Sequence, residues 1–276
     1  MGHMDPSPDK KANGGERPHF LDTADAALPA LPEYLRRRSP REIEVRYFVP
    51  GKLTEQITEK LTYITIEQHY FPDKVLKDLV KRFGVSRVVS DFEGFTTGRI
   101  RRTKFSSDNS IYELEFKGPK EMAGGAPISR SEFGIAITKD LFSELLPDAT
   151  EGSLKKRRYQ INGKIEDGTA WRSATGHLDI LRRAGPELKR LKNPFATIDI
   201  ELPSAQLLAA LRSGRHSFKF LTQCVEIGRL DSSVRTAIAN STIAHEGING
   251  RQEKALDELR DEGKRLRKLM ERLGGR

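Results

Sequence analysis

Cysteine is nearly missing from this sequence. Cys224 is the only one in 276 residues, which excludes an intramolecular disulfide framework and a cysteine-ligated zinc cluster. Long apolar runs are missing as well. None approaches the roughly 18 residues of a membrane-spanning helix, and no segment has the layout of a signal peptide, so a cytoplasmic location with no membrane partner is expected. Acidic side chains are the minority charge: 39 Asp and Glu stand against 48 Lys and Arg, a formal net charge of +9. That surplus points to an anionic partner such as a nucleotide, a polyphosphate, nucleic acid or a membrane surface. Hydrophobic residues make up 36% of the chain, enough for one large domain or two small ones with a real core.

The two ends read differently from the middle. "MGHM" at the start looks like a cloning scar, and residues 1–39 are rich in Pro, Asp, Lys and Gly without a clear period, so a flexible arm is expected there. Residues 40–248 carry the domain pattern. Residues 249–276 contain "KALDELRDEGKRLRKLMERL", with Leu256, Leu259, Gly263, Leu266, Met270 and Leu273 in heptad spacing. That is an amphipathic helix, expected either to dock on the chain's own domain or to meet a second copy or another protein.

Within the middle region extended segments dominate. "REIEVRYFV", "TYITIEQHY", "TGRIRRTKF", "SIYELEFKG", "ISRSEFGIAI", "LKKRRYQI", "AWRSATGHLDI" and "FATIDIEL" alternate or carry β-branched and aromatic residues, the signature of strands. Turn residues separate several of them, at 106–109, 162–164 and 184–186. Helical patterns fall at 73–84, 139–146 and 204–214, the last with Ser204 as N-cap and Gly214 as stop. The expected fold is α+β: an eight-stranded, mainly antiparallel β-tunnel covered by helices, with a C-terminal helix.

Successive side chains of a strand point to opposite faces. Glu42, Glu44 and Arg46 therefore share one face of the first strand, and Ile43, Val45 and Tyr47 the other. The pattern repeats: Arg99 with Arg101, Glu113 with Glu115 and Lys117, Arg130 with Glu132, Lys156 with Arg158, His177 with Asp179, and Asp199 with Glu201. Amphipathic helices need an apolar sheet face to cover. The apolar residues are therefore expected to point outward beneath the helices, and the charges inward. A wet interior of mixed charge suits a phosphate ligand, with bases on its oxygens and carboxylates on a bridging divalent cation.

These motifs, in this order, resemble the CYTH, or triphosphate tunnel metalloenzyme, superfamily. The resemblance runs through "EIEVR" for the opening Glu-x-Glu-x-Lys signature, "IEQHY", "RIR", "FKGP", "RSE", "KRRY" and "IDIEL", and ends in "EIGRLDSSVRTAIANSTIA". It implies a tunnel that binds triphosphate groups, usually with magnesium or manganese. It implies Glu42, Glu44 and Arg46 as catalytic positions, and Arg46, Arg99, Arg101, Lys117, Arg130, Lys156 and Arg158 as the phosphate clamp. Glu42, Glu44, Asp199 and Glu201 would hold Mg2+ or Mn2+.

Two departures bear on activity. The signature lysine is Arg46, and arginine stays protonated where lysine can give up a proton. Gly134 stands where the family has a further carboxylate. Two functions follow from the same tunnel: a divalent-metal-dependent triphosphatase, or a non-catalytic nucleotide sensor, including one for a cyclic mono- or dinucleotide. Nucleic-acid binding weighs less, because few aromatic residues interleave the basic runs.

Overall fold

The computed structural model describes residues 43–83, 95–105, 109–118, 121–123, 126–129, 132–191, 195–247 and 250–274. Its strands are β1 (Ile43–Val49), β2 (Tyr63–Tyr70), β3 (Thr97–Lys104), β4 (Ser110–Lys117), β5 (Glu121–Ala123) and β6 (Ala126–Ser129). They continue with β7 (Glu132–Ile137), β8 (Ser153–Glu166), β9 (Trp171–Ala184), β10 (Lys189–Arg190), β11 (Ala196–Leu202) and β12 (Val225–Glu226). The eight long strands form one antiparallel ladder in the order β1-β11-β9-β8-β2-β3-β4-β7, and short β6 and β12 also pair on β1. Among the described residues no hydrogen-bonded ladder joins β7 back to β1.

Alternation decides which face each side chain takes. On β1, Ile43, Val45 and Tyr47 are buried together with Ile198, Ile200 and Leu202 of β11. Helix α4 (Ala205–Arg212) covers them with Leu207, Leu208 and Leu211. Ser204 caps that helix by accepting from the Leu207 N–H at 3.3 Å, and Gly214 ends it at φ +79°. On the other flank, α2 (Asp73–Arg82) and α3 (Lys139–Leu145) bring Leu76, Leu79, Phe142 and Leu145 onto Ile100, Leu114 and Phe116. Each such side chain contributes about 1.5–3 kcal/mol on burial. The apolar rows thus lie beneath the helices, as expected, and the charged rows face inward.

A third cluster lies at one end of the inner face itself. Phe48, Tyr70, Leu154 and Leu181 continue the inward rows, but are apolar or aromatic. Val234 and Ala237 of α5 (Ser232–Ala237), Ile243 and Ala244 of α6 (Asn240–Glu246), and Ala255, Leu256 and Leu259 of α7 (Gly250–Gly274) pack with them. The first half of the C-terminal helix therefore docks on the chain's own core. No helix among the described residues is long and apolar enough to cross a membrane.

Two local expectations are corrected, and one helix is added. Residues 162–164 are not a turn: Asn162, Gly163 and Lys164 pair with Thr175, Ala174 and Ser173 in the middle of the β8–β9 hairpin. A Cβ on Gly163 would stand 2.4 Å from the Phe218 ring, so the glycine serves packing. The turn falls at Asp167–Thr169, where the Asp167 carboxylate accepts from the backbone N–H groups of Thr169 and Ala170 at 2.9 Å. The segment 128–137 divides between β6 and β7, with residues 130 and 131 outside the described residues. Finally, α1 (Gly51–Thr58) was not anticipated, although its Leu53 and Ile57, one turn apart, pack into the first cluster.

Candidate functional site

The inward rows meet across strands as acid–base neighbours. Arg46 lies opposite Asp199, Arg158 opposite Asp179, Arg99 opposite Glu115, Arg101 opposite Glu113, and Lys117 opposite Glu132, while Glu44 faces Glu201. They surround a cavity of about 100 Å³ lined by Glu44 and Arg46 of β1, Arg99 and Arg101 of β3, Lys117 of β4, Lys156 and Arg158 of β8, and Asp199 and Glu201 of β11. Because these strands come from both ends and the middle of the ladder, the sheet wraps around the space. Glu132 and Asn240 complete the lining. Neither was singled out as a site residue from sequence: alternation alone put Glu132 on an inward row, and Asn240 opens α6. Glu42 and Arg130, both expected here, lie outside the described residues.

In this state the cations are bound to internal carboxylates. Arg46 grips Asp199 through Nε at 2.6 Å and Nη2 at 2.8 Å, and Nη2 also donates to Glu44 at 2.8 Å. Arg101 holds Glu113 at 2.5 Å and Glu115 at 2.7 Å, and Arg99 also pairs with Glu115. Lys117 pairs with Glu132. Asp179, buried at 5% exposure, receives both Lys156 and Arg158, the latter through Nε and Nη2 at 2.7 Å each. Tyr70 and Gln68 support Arg99 from β2: the tyrosine hydroxyl lies 3.4 Å from its Nη1, and the Gln68 amide, with its oxygen turned to the guanidinium, accepts at 3.0 Å.

Protonation follows from burial and these partners. Burial opposes the charge on Arg46, but Asp199 and Glu44 outweigh it and hold its pKa above the ordinary arginine value. The same contest is won by Glu115 for Arg99 and by Asp179 for Arg158. Burial would raise Glu115 and Asp179, yet their basic neighbours keep both far below the usual carboxylate range. Lys156 goes the other way. Burial lowers it to about 8, against the pull of Asp179 and with the help of Arg158. His177, on the same face, is lowered by burial and by Arg158, and its buried Nδ1 has no hydrogen-bond partner among the described residues.

A divalent cation needs several oxygen donors free to converge on it. Glu44 and Asp199, two of the donors implied by the resemblance, both clasp Arg46. No three Asp, Glu, His or Cys side chains among the described residues gather closely enough to hold a metal ion. Among the described residues, which leave out Glu42, the donor set in this arrangement does not fit a divalent metal. Volume alone would point elsewhere: a groove of about 690 Å³ lies between the β9–β10 turn and α7. Its charges are mixed and include the exposed pair Lys189–Glu187, without the inward convergence of the smaller cavity.

No family model and no curated protein matches the sequence. Among solved structures, the inorganic triphosphatase NE1496 is similar over 77% of this chain and 99% of its own, at 18% identity and a TM-score of 0.37. The protein PH1819 from Pyrococcus horikoshii OT3 is similar over 62% of this chain and 85% of its own, at 19% identity and a TM-score of 0.37. With eight long antiparallel strands wrapped around a charged interior, the chain has the tunnel fold that its resemblance to the CYTH, or triphosphate tunnel metalloenzyme, superfamily implied.

Proposed function

We propose that the cavity is a receptor for the phosphates of a nucleotide or polyphosphate, the triphosphate group being the best match. What carries this reading is the convergence of Arg46, Arg99, Arg101, Lys117, Lys156 and Arg158 on one small space. Guanidinium forks meet phosphate oxygens as they meet carboxylates, so an incoming phosphate exchanges for Glu44, Glu113, Glu115 or Asp199 on the same N–H groups. The free cavity of about 100 Å³ is smaller than the roughly 300–1,000 Å³ of ordinary ligand pockets, so a triphosphate enters by opening these ion pairs. Because the cations line a concave interior and few aromatic residues accompany them, a nucleic acid is a poorer match than a small phosphate ligand.

Hydrolysis is the second reading, and Lys156 favours it. With its pKa lowered to about 8, it is a clamp cation able to exchange a proton near neutral pH, a role closed to Arg46. Calorimetric titration with tripolyphosphate, ATP, GTP and cyclic nucleotides, beside an assay of phosphate release with magnesium or manganese, separates the two. Saturable binding that weakens more than about tenfold in Arg99→Ala/Arg101→Ala is expected. Turnover abolished by Lys156→Met would make the protein a triphosphatase, and no saturable binding of any of these anions would end the phosphate reading.

A further inference from the structure

Arg46 stands where the opening signature has lysine, and its guanidinium is held from two sides. Asp199 of β11 takes Nε and Nη2 at 2.6 and 2.8 Å, and Glu44 of β1 takes Nη2 at 2.8 Å. The Asp199 side chain is 7% exposed and that of Arg46 22%. Carboxylates from adjacent strands thus close on a single cation, the arrangement by which such groups hold a metal ion. The cation here is planar and permanently charged. A lysine ammonium is a point charge and has no fork with which to hold Asp199 through two N–H groups while reaching Glu44.

A divalent ion entering between Glu44 and Asp199 would have to displace this guanidinium. The released charge would remain in a cavity whose Arg99, Arg101, Lys117, Lys156 and Arg158 already engage Glu113, Glu115, Glu132 and Asp179, so two positive charges would be added and none removed. Like charges at such separations repel strongly. From this geometry we infer that Arg46 is a resident cation standing in for a divalent metal, and that the cavity takes its phosphate ligand without Mg2+ or Mn2+. The inference rests on the phosphate reading of the cavity, but its first test does not.

That test titrates the EDTA-stripped full chain with Mn2+ alone, following the free-ion paramagnetic resonance signal. Wild type is expected to show no saturable uptake below about 1 mM, an ordinary ceiling for weak carboxylate sites. Arg46→Gln leaves Glu44 and Asp199 without their cation, and should bind Mn2+ at least about tenfold more tightly than wild type. Saturable wild-type uptake below that ceiling, removed by Glu44→Gln, would overturn the inference.

The second test measures tripolyphosphate binding by calorimetry in EDTA and in excess Mg2+, corrected for the Mg2+–tripolyphosphate equilibrium. Affinities within about threefold of each other support the resident cation, and a larger loss in EDTA refutes it. Should circular dichroism show Arg46→Gln to be unfolded, the two wild-type measurements decide on their own. Absence of tripolyphosphate binding in both buffers counts against the phosphate reading instead, and the Mn2+ titration still decides what Arg46 does.

Discussion

Replacing Asp179 by asparagine removes one charge and leaves the shape of the side chain intact. Asp179 is the shared counter-ion of Lys156 and Arg158, at 5% exposure, with Lys156 itself only 4% exposed. The substitution strands two cations inside the sheet, and breaking a buried pair in this way costs about 3–5 kcal/mol. For a chain of this size that lowers the melting temperature by about 6–12 °C at the lower figure. A bound polyanion supplies the missing negative charge. Tripolyphosphate at about 100 times its Kd adds about 2.7 kcal/mol to wild type, and should add more to Asp179→Asn, because that cavity carries one more net positive charge. Thermal unfolding with and without tripolyphosphate measures both effects. A melting temperature within about 2 °C of wild type, or an equal ligand shift in the two proteins, would refute the claim that Asp179 is the shared counter-ion of Lys156 and Arg158.

Three further outcomes are expected. Lys156 titrates at about 8 in the fold against 10.5 ordinarily. The unfolded chain therefore holds a proton that the folded one lacks between those values, and stability rises with pH across that window, checked by urea midpoints. Binding of a polyanion restores that proton, so tripolyphosphate affinity should weaken above pH 8 relative to Lys156→Arg, with calorimetry in buffers of different ionisation enthalpy reporting the uptake. Gly152 sits at φ +114°, with a Cβ position 2.0 Å from the Ala244 carbonyl oxygen of α6. Gly152→Ala should destabilise by about 2–3 kcal/mol and also weaken tripolyphosphate binding, since α6 carries Asn240 to the cavity; unchanged denaturation and affinity would contradict this.

Much of the tunnel was legible because its strands obey a period of two with unusually clean chemistry. "EIEVRYF" sorts Glu44 and Arg46 from Val45 and Tyr47, and the need of α4 for an apolar floor decides which set turns inward. What alternation cannot supply is register. That Asp199 falls opposite Arg46, or Asp179 opposite Arg158, depends on partners far away in the chain. Asp179 therefore read as one more inward acid rather than as the counter-ion of two clamp residues. Alternation also failed to mark where the inner face changes character. Phe48, Tyr70 and Leu154 follow the charged rows in phase, but α5, α6 and α7 fill that end, so its inner positions are apolar. The Asn162–Lys164 segment misled for a local reason: Asn-Gly has turn chemistry, yet Gly163 is there to admit the Phe218 ring.

The neighbours in the ladder have one more consequence, for the order of events during synthesis. Arg46 and Asp199 are 153 residues apart in the chain, and β1 gains its long partner only when β11 has been made. Helix α7 then packs, through Leu256 and Leu259, on a cluster that includes Phe48 of the first strand. At an elongation rate of about 5–20 residues per second, the first strand waits on the order of 10 s for its mate. Folding of this chain is dominated by distant pairing and is expected to be slow. The cavity therefore acquires its charge pairs in stages: Arg99–Glu115, Arg101–Glu113 and Lys156–Asp179 join strands that follow one another in the chain, whereas Arg46 waits for Asp199 of β11.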